Sequence, residues 1–476
     1  MTLENTSYFS KFLTIFFKLG FSTMLLRAGF YKTKGVTSVH LILSLCLAVM
    51  LQKTKLDYLL SNNLDVSDKK ISKTALYRYA ARDDLAWRNL QLQLAYKLVS
   101  KTSRLTSDTR KKCFIFDDSI YDRNRSKNTE LLARVYDHCS HRYLVGFTYL
   151  MLSWTDGNST YPIDFALMSS AGDKNCINKT TIEDHRLSVS KRMVESRKPK
   201  TEMVIQLLDS ALKADIVADY VLFDTWFTTA PLITAIRERD LHVIGMLKHM
   251  KNSSYLYEGK YYTLKALLQK VERQQQTQDK SCSFARSIVV ETKVTDKNPK
   301  AQKVKLVFVR NRNSDSNKVL TLLSSDIEMS SEDIIQTYGK RWNIEQMFHT
   351  QKQLLGLVSK CQAKKYNAII AHATIVCICN ALLEYIRREE TDDRTIGEVF
   401  RASCNELKDL SFDVALDTLL NLFDELLEEF NQKHLFKAKG YEVAKMLTKN
   451  RLSSWFQEQT QYIQNILKAL AKEAFP

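Results

Sequence analysis

Runs of apolar residues divide this chain into a helical beginning, an alternating middle and a helical end. Residues 1–105 read as helix throughout. Ala75–Lys101 carries Leu76, Tyr79, Leu85, Leu90 and Leu94 at helical intervals. Residues 41–51 are apolar but too few to span a bilayer, so they suit a buried helix. A short basic linker, Lys101–Lys112, leads into Cys113-Phe114-Ile115-Phe116, which predicts a first strand over 113–118. Tyr143–Trp154 and Thr160–Met168 are long apolar runs split by the turn signal Asp156-Gly157-Asn158. They predict a hairpin beside the first strand. Residues 170–200 are polar and basic and read as a surface loop. An amphipathic helix over Thr201–Lys213, a strand at Tyr220–Phe223, a helix over Ala230–Asp240 and a strand at His242–Leu247 follow.

Residues 250–325 change character. Short β-rich runs at Tyr255–Tyr262, Ser283–Thr292, Lys303–Arg310 and Val319–Leu323 are separated by the polar stretches Gln274–Lys280 and Asn311–Asn317. Helix resumes at Ser330-Ser331-Glu332-Asp333, a capping-box pattern before Ile334 and Ile335. Ala368–Arg387 is strongly apolar and predicts a helix packed under the sheet. Residues 401–432 hold eight acids against Arg401 and Lys408, a helical stretch that would avoid DNA. Strands alternating with helices in the middle define an α/β chain with helical ends.

Composition sharpens this picture. In 476 residues there are only 12 Gly and 5 Pro, which favours helix over long linkers. The net charge is +17 and the sequence pI about 9.3, which favours an acidic polymer as partner. The excess is concentrated in residues 1–110, with 17 Lys or Arg against 7 Asp or Glu. That fits sequence-tolerant phosphate binding, with solubility alone as the alternative. The nine cysteines are scattered and read as reduced, buried residues of a reducing compartment. His138-Cys139-Ser140-His141 lacks a second ligand pair at zinc-finger spacing. Neither a glycine-rich phosphate loop nor a convincing secretory signal is present.

Candidate chemistry lies in three places. Two apolar strands stop at acids: Asp117-Asp118-Ser119 after the first, Asp224-Thr225 after the second. In open α/β sheets functional groups gather at such carboxyl ends. On one continuous helix, Tyr338, Arg341, Glu345 and Lys352 would share an arc of roughly 60°. The same spacing suits a solvated amphipathic helix with i,i+4 charge pairs. Two strand-end aspartates plus a helical glutamate would make a cage of hard oxygen ligands, selective for Mg²⁺ or Mn²⁺. Arg123, Arg125, Lys127 and Arg134, and then Lys191, Arg192, Arg197, Lys198 and Lys200, are further candidates for DNA contact. Trp226 and the pair Tyr261-Tyr262 are conceivable stacking groups, but ordinary packing is the preferred reading.

In these residues the chain resembles bacterial insertion-sequence transposases with a DDE triad, in the subgroup marked by a Y-x2-R-x3-E-x6-K signature. Tyr338, Arg341, Glu345 and Lys352 match that signature at every spacing. Asp224 matches the second aspartate. The first is Asp117, two residues before the hydroxyl of Ser119, or Asp118, since a one-residue change of register exchanges the two faces. The resemblance covers about residues 110–360. It implies a ribonuclease-H-like fold, a mixed sheet flanked by helices, with a β-rich insertion before the helix of the glutamate. It implies catalytic and metal-binding roles for Asp117, Asp224 and Glu345, with Tyr338, Arg341 and Lys352 on DNA. The activity implied is two-metal-ion cleavage at transposon ends and strand transfer into target DNA, with Mg²⁺ as cofactor. Double-stranded DNA and a homodimer in a synaptic complex are the implied partners, with no membrane and a bacterial cytoplasmic location. The expected organisation is a helical, basic DNA-binding region over 1–110 and a catalytic domain over 111–249 and 330–395. The β-rich insertion occupies 250–329, and 396–476 is a helical region and candidate dimer interface. The alternative is a catalytically inactive or co-opted DNA-binding descendant of such an enzyme.

Overall fold

The computed structural model describes residues 8–50, 71–107, 109–138, 140–172, 174–180, 184–248, 254–275, 285–296, 298–310, 319–389, 395–396, 398–401, 419, 423 and 441–458. Residues 402–418 and 424–440 lie outside these. So do most of the acidic stretch and much of the expected dimerising region. The chain divides into two compact units.

One unit comprises residues 1–82, 354–356 and 371–476. Its described part is helical: Tyr8–Lys18, Phe21–Arg27, Ser38–Met50 and Lys73–Ala80, then the later part of Tyr366–Glu389, and Tyr441–Glu458. Ser38–Met50 is buried along most of its length, as its apolar run predicts. Tyr366–Glu389 is long and apolar enough to cross a membrane, but nearly all of that stretch is buried inside the protein. Helix is not continuous over Ala75–Lys101. It stops at Ala80 and restarts at Trp87, with Asp83 and Asp84 in the break.

The other unit, residues 83–353 and 357–370, is built on a mixed sheet. Its strands are β1 (Cys113–Asp122), β2 (Ala133–Asp137), β3 (Arg142–Thr155), β4 (Thr160–Met168), β5 (Tyr220–Phe223), β6 (His242–Met246), β7 (Ser254–Tyr257), β8 (Lys260–Thr263), β9 (Ala285–Thr292), β10 (Lys303–Arg310) and β11 (Val319–Ser324). The order is β2-β3-β1-β5-β6-β11-β10-β9-β7-β8, with β4 on the outer side of β3. β1, β5 and β6 are parallel, and β3 runs antiparallel to β1. This large mixed sheet with flanking helices is consistent with a ribonuclease-H-like fold.

The middle of the sheet is apolar on both faces. Cys113, Phe114, Ile115, Phe116, Val221, Leu222 and Phe223 are fully buried, and the rings of Phe116 and Phe223 stack at 5.8 Å. Such continuous β-branched and aromatic runs are what a strand covered by helices requires. The Trp87–Ser103 and Lys200–Lys213 helices supply part of that cover against β4 and β3. The β-rich residues after 250 continue the same sheet, because β11 pairs with β6. The Leu264–Gln275 helix inside this segment is an element the β-rich pattern hides.

Three further expectations need correction. β1 does not stop at Asp118 but continues to Asp122, because β3 pairs with it as far as Gly146. The polar segment 170–200 is not all surface loop. Ser188–Glu195 is helical, and Arg192 turns inward to a 3.1 Å ion pair with the fully buried Asp164. Helix is also not continuous from Tyr338 to Lys352. Ser331–Gly339, Trp342–His349 and a π-helical turn at Thr350–Leu354 are separate pieces, the first ending at Gly339. Glycine has little preference for continuing a helix.

Candidate active site

The parallel pairing of β1 with β5 sets the first two carboxylates level. Ile115 lies opposite Leu222. Two residues further along that register, Asp117 stands beside Asp224, at the carboxyl ends of the paired segments. Side chains alternate along a strand, so Asp117 and Ser119 share one face of β1 and Asp118 faces the other way. Each face has found its own cation. Arg341 reaches Asp117 at 3.1 Å, whereas Lys200 reaches Asp118 at 2.9 Å.

Asp224 opens a tight turn. Its carboxylate accepts the N–H groups of Trp226 at 3.0 Å and Phe227 at 3.2 Å, and the Thr228 hydroxyl donates to its backbone carbonyl at 2.6 Å. This is the local turn chemistry that favours aspartate after a strand. Thr228 in turn packs on Gly245 of β6. A Cβ at Gly245 would lie 2.2 Å from the Thr228 hydroxyl oxygen, so only glycine leaves room for this turn.

The Glu345 segment closes over β1. Ser330 caps the first helix by accepting from the Asp333 N–H at 3.0 Å, as the capping pattern predicts. Ile344 and Met347 are buried and fix the rotation of the next helix. Glu345 then accepts from Arg341 at 2.5 Å, one turn away, while the same guanidinium holds Asp117. Arg341 also lies 6.0 Å from the centre of the Tyr338 ring. Lys352, carried by the π-helical turn, donates to the Ser119 hydroxyl at 2.5 Å. Despite the broken helix, Tyr338, Arg341, Glu345 and Lys352 all gather against the Asp117 and Ser119 face of β1.

The electrostatics are those of a site short of positive charge. Burial pushes Asp117 up to about 7; Arg341 opposes the rise, and Asp224 and Asp118 add to it. Asp224 is raised as well, by burial first and then by Asp118, against the pull of its two backbone donors. Arg341 is held above its ordinary value although burial works against it, because Tyr338, Glu345 and Asp117 surround it. Burial pushes Tyr338 up to about 12. Among the described residues no three His, Cys, Asp or Glu stand close enough to hold a metal ion as they are. The guanidinium lies between two of the carboxylates instead. The donor set still fits a hard divalent cation. All its donors are carboxylate oxygens, burial raises two of them, Asp117 and Asp224, and Asp117 and Glu345 already receive the Arg341 guanidinium.

Other candidates are placed as follows. Arg125, Lys127 and Arg134 are exposed, while Arg123 turns inward and donates to the Cys361 carbonyl. Lys198 pairs with Glu202. Trp226 is 42% exposed, with the Lys200 ammonium 4.4 Å above its ring, and Tyr261 is also exposed. Cys139 of the His-Cys-Ser-His cluster lies outside the described residues. Sequence reasoning missed Lys200 as the counter-ion of Asp118. Two sites 82 residues apart give no local signal of such a pair.

Residues 58–259 match the family model described as DDE superfamily endonuclease, and residues 181–382 match the one described as Transposase DDE domain. The first match spans both aspartate strands, and the second spans Asp224 and Glu345. Each covers less than half of the chain, and together they make it similar to DDE transposases and endonucleases. No curated protein matches the chain.

Proposed function

We propose that this chain is a metal-dependent DNA transposase of the Y-R-E-K subgroup, with Asp117, Asp224 and Glu345 as its catalytic triad. The observation that carries this reading is the single guanidinium shared by Asp117 and Glu345, at 3.1 and 2.5 Å. It ties a mid-strand acid to a helical acid 228 residues away, beside a second strand-end acid. Asp117 is the first aspartate of the triad, since it faces Arg341 and Glu345 while Asp118 is held by Lys200 on the other face. Asp117, Asp224 and Glu345 would hold Mg²⁺, with Mn²⁺ as a substitute. Bound there, such ions activate an attacking water or 3′-hydroxyl and stabilise the leaving oxygen.

The chain's own groups do the rest. Arg341 and Lys352 grip phosphates of the element's end, Arg341 leaving the carboxylates as cations take its place. Tyr338 supports Arg341 from behind. The basic residues of 1–110 add sequence-tolerant attraction to the duplex. Two copies on two transposon ends form the working assembly, in the cytoplasm of a bacterial cell.

The test uses DNA flanking the coding region, incubated with the full-length chain in Mg²⁺, in Mn²⁺ and in chelator. The reading expects metal-dependent nicking at a fixed position, followed by joining of the freed 3′-end to a second duplex. Binding without nicking in either metal would identify a silent DNA-binding descendant. Nicking without joining would identify a simple nuclease.

A further inference from the structure

The hairpin of β2 and β3 outruns the sheet. β1 ends opposite Gly146, and β4 pairs with β3 only from Thr148 onward. The chain after β1 braces β3 once more, where Asn124 and Arg123 bond the backbone of Val145. Among the described residues, the outer edge of β2 is covered as far as Arg134, by Asn175 and Cys176. Beyond that, Val135–Leu144, Tyr136–Tyr143 and Asp137–Arg142 pair as a two-stranded ribbon with no further strand partner among the described residues, Val135 buried on its inner face.

One face of this ribbon is aromatic and basic. Tyr136 and Tyr143 are cross-strand neighbours with ring centres 5.2 Å apart, and they are 39% and 61% exposed. His138 meets the Tyr136 ring at 5.0 Å. Arg134, two residues before Tyr136, lies on the same face, and Arg142 adds exposed positive charge at the tip beside the exposed His141. The acid of the ribbon, Asp137, accepts from Ser140 at 2.6 Å. Solvent-exposed tyrosines beside arginines cost solubility and contribute nothing to the core, which marks a contact surface. A second copy of this face would set arginine against arginine. A polyanion would not.

We infer that the β2–β3 ribbon is a duplex-DNA arm, which lies in a groove and holds the backbone through Arg134, Arg142, Tyr136 and Tyr143. A two-stranded ribbon fits the major groove, and arginine and tyrosine side chains are common phosphate and sugar contacts. The arm has a definite reach. Met151 of β3 lies opposite Asp117, and Tyr143 is eight residues further along the same strand. At about 3.4 Å per residue the arm touches DNA roughly 27 Å from the carboxylates, about eight base pairs away. This inference rests on the proposed DNA-processing function and adds where the duplex runs.

The test is fluorescence anisotropy of the full-length chain with a labelled duplex of arbitrary sequence, longer than that reach, over a series of salt concentrations. The double variant Arg134→Gln/Arg142→Gln is expected to flatten the slope of log affinity against log salt by roughly two units. Tyr136→Ala/Tyr143→Ala is expected to weaken binding several-fold with the slope unchanged. Thermal unfolding checks that each variant is folded, and Tyr136→Ser/Tyr143→Ser stands in if the alanine pair is not. A wild type that binds while both double variants match it in affinity and slope would overturn the arm and leave the DNA function standing. A wild type with no affinity for duplex would overturn both. Loss of self-association with unchanged DNA binding would overturn the arm in favour of a contact between copies.

Discussion

Arg341, at the start of the Glu345 helix, reaches Asp117 at 3.1 Å, and this contact places a cation at the oxygens proposed to hold a metal ion. Its other nitrogen holds Glu345. Under the proposed function, the guanidinium would compete with a divalent ion for the same oxygens. Replacing Arg341 with Gln should tighten Mn²⁺ binding about tenfold in the absence of DNA, equivalent to the ~1.5 kcal/mol of one charge-assisted hydrogen bond. The same variant should melt at lower temperature in chelator and recover with added Mg²⁺. Titration calorimetry and thermal unfolding measure both effects. Unchanged metal affinity would show that the arginine does not occupy the cation site.

Asp117 carries the clearest pH signature. Its value of about 7 in the folded chain lies above the ordinary 3.8 expected once unfolded. Between about pH 4 and 7 the folded chain therefore keeps a proton that the unfolded chain has released. The contribution of this group to stability falls as pH rises through that window, and it is flat outside it. Unfolding midpoints in chelator, measured for wild type and Asp117→Asn, should converge as pH falls towards 4. Because a bound cation displaces that proton, Mg²⁺ affinity should rise with pH up to about 7 and then level off.

Gly245 and Thr228 test whether the turn after β5 holds Asp224 in place. Gly245→Ala puts a methyl group 2.2 Å from the Thr228 hydroxyl, which must then leave the Asp224 carbonyl. Overpacking of this kind costs about 1–3 kcal/mol. The variant should lose that stability and most of its cleavage activity. Adding Thr228→Ala should restore much of the stability but not the activity, because the bond to Asp224 remains absent.

Lys352 and Ser119 separate phosphate binding from local structure. Lys352→Gln should weaken binding to end DNA and reduce the salt slope by about one unit. Ser119→Ala removes the hydroxyl that Lys352 engages at 2.5 Å but leaves the charge. It should leave the slope unchanged. Equal slopes for wild type and Lys352→Gln would remove this lysine from the DNA interface.

Much of this architecture was legible in the pattern of residues. The buried strands at Cys113 and Tyr220, the hairpin turn at Asp156-Gly157-Asn158 and the cap at Ser330 each follow from local chemistry that the fold leaves undisturbed. The gathering of Tyr338, Arg341, Glu345 and Lys352 was legible for a partly wrong reason. A single helix would give them a shared face. Instead Gly339 and a π-helical turn divide the segment, and ion pairs and hydrogen bonds to β1 restore the grouping. The length of β1 was not legible, since its polar residues 117–119 are half-buried and their pairing is set by β3 some thirty residues later. β2 was hidden by its alternation of arginine and tyrosine with small apolar residues in a basic run. Arg192 looked like a surface cation because the acid that buries it, Asp164, belongs to another strand.

The most direct measurement is DNA cleavage by Glu345→Gln beside wild type, on DNA flanking the coding region in Mg²⁺. Glutamine keeps the shape but removes the charge. The account predicts that wild type nicks the DNA and that the variant binds it nearly as well yet leaves it intact. Nicking by Glu345→Gln at a rate close to that of wild type would contradict the catalytic assignment.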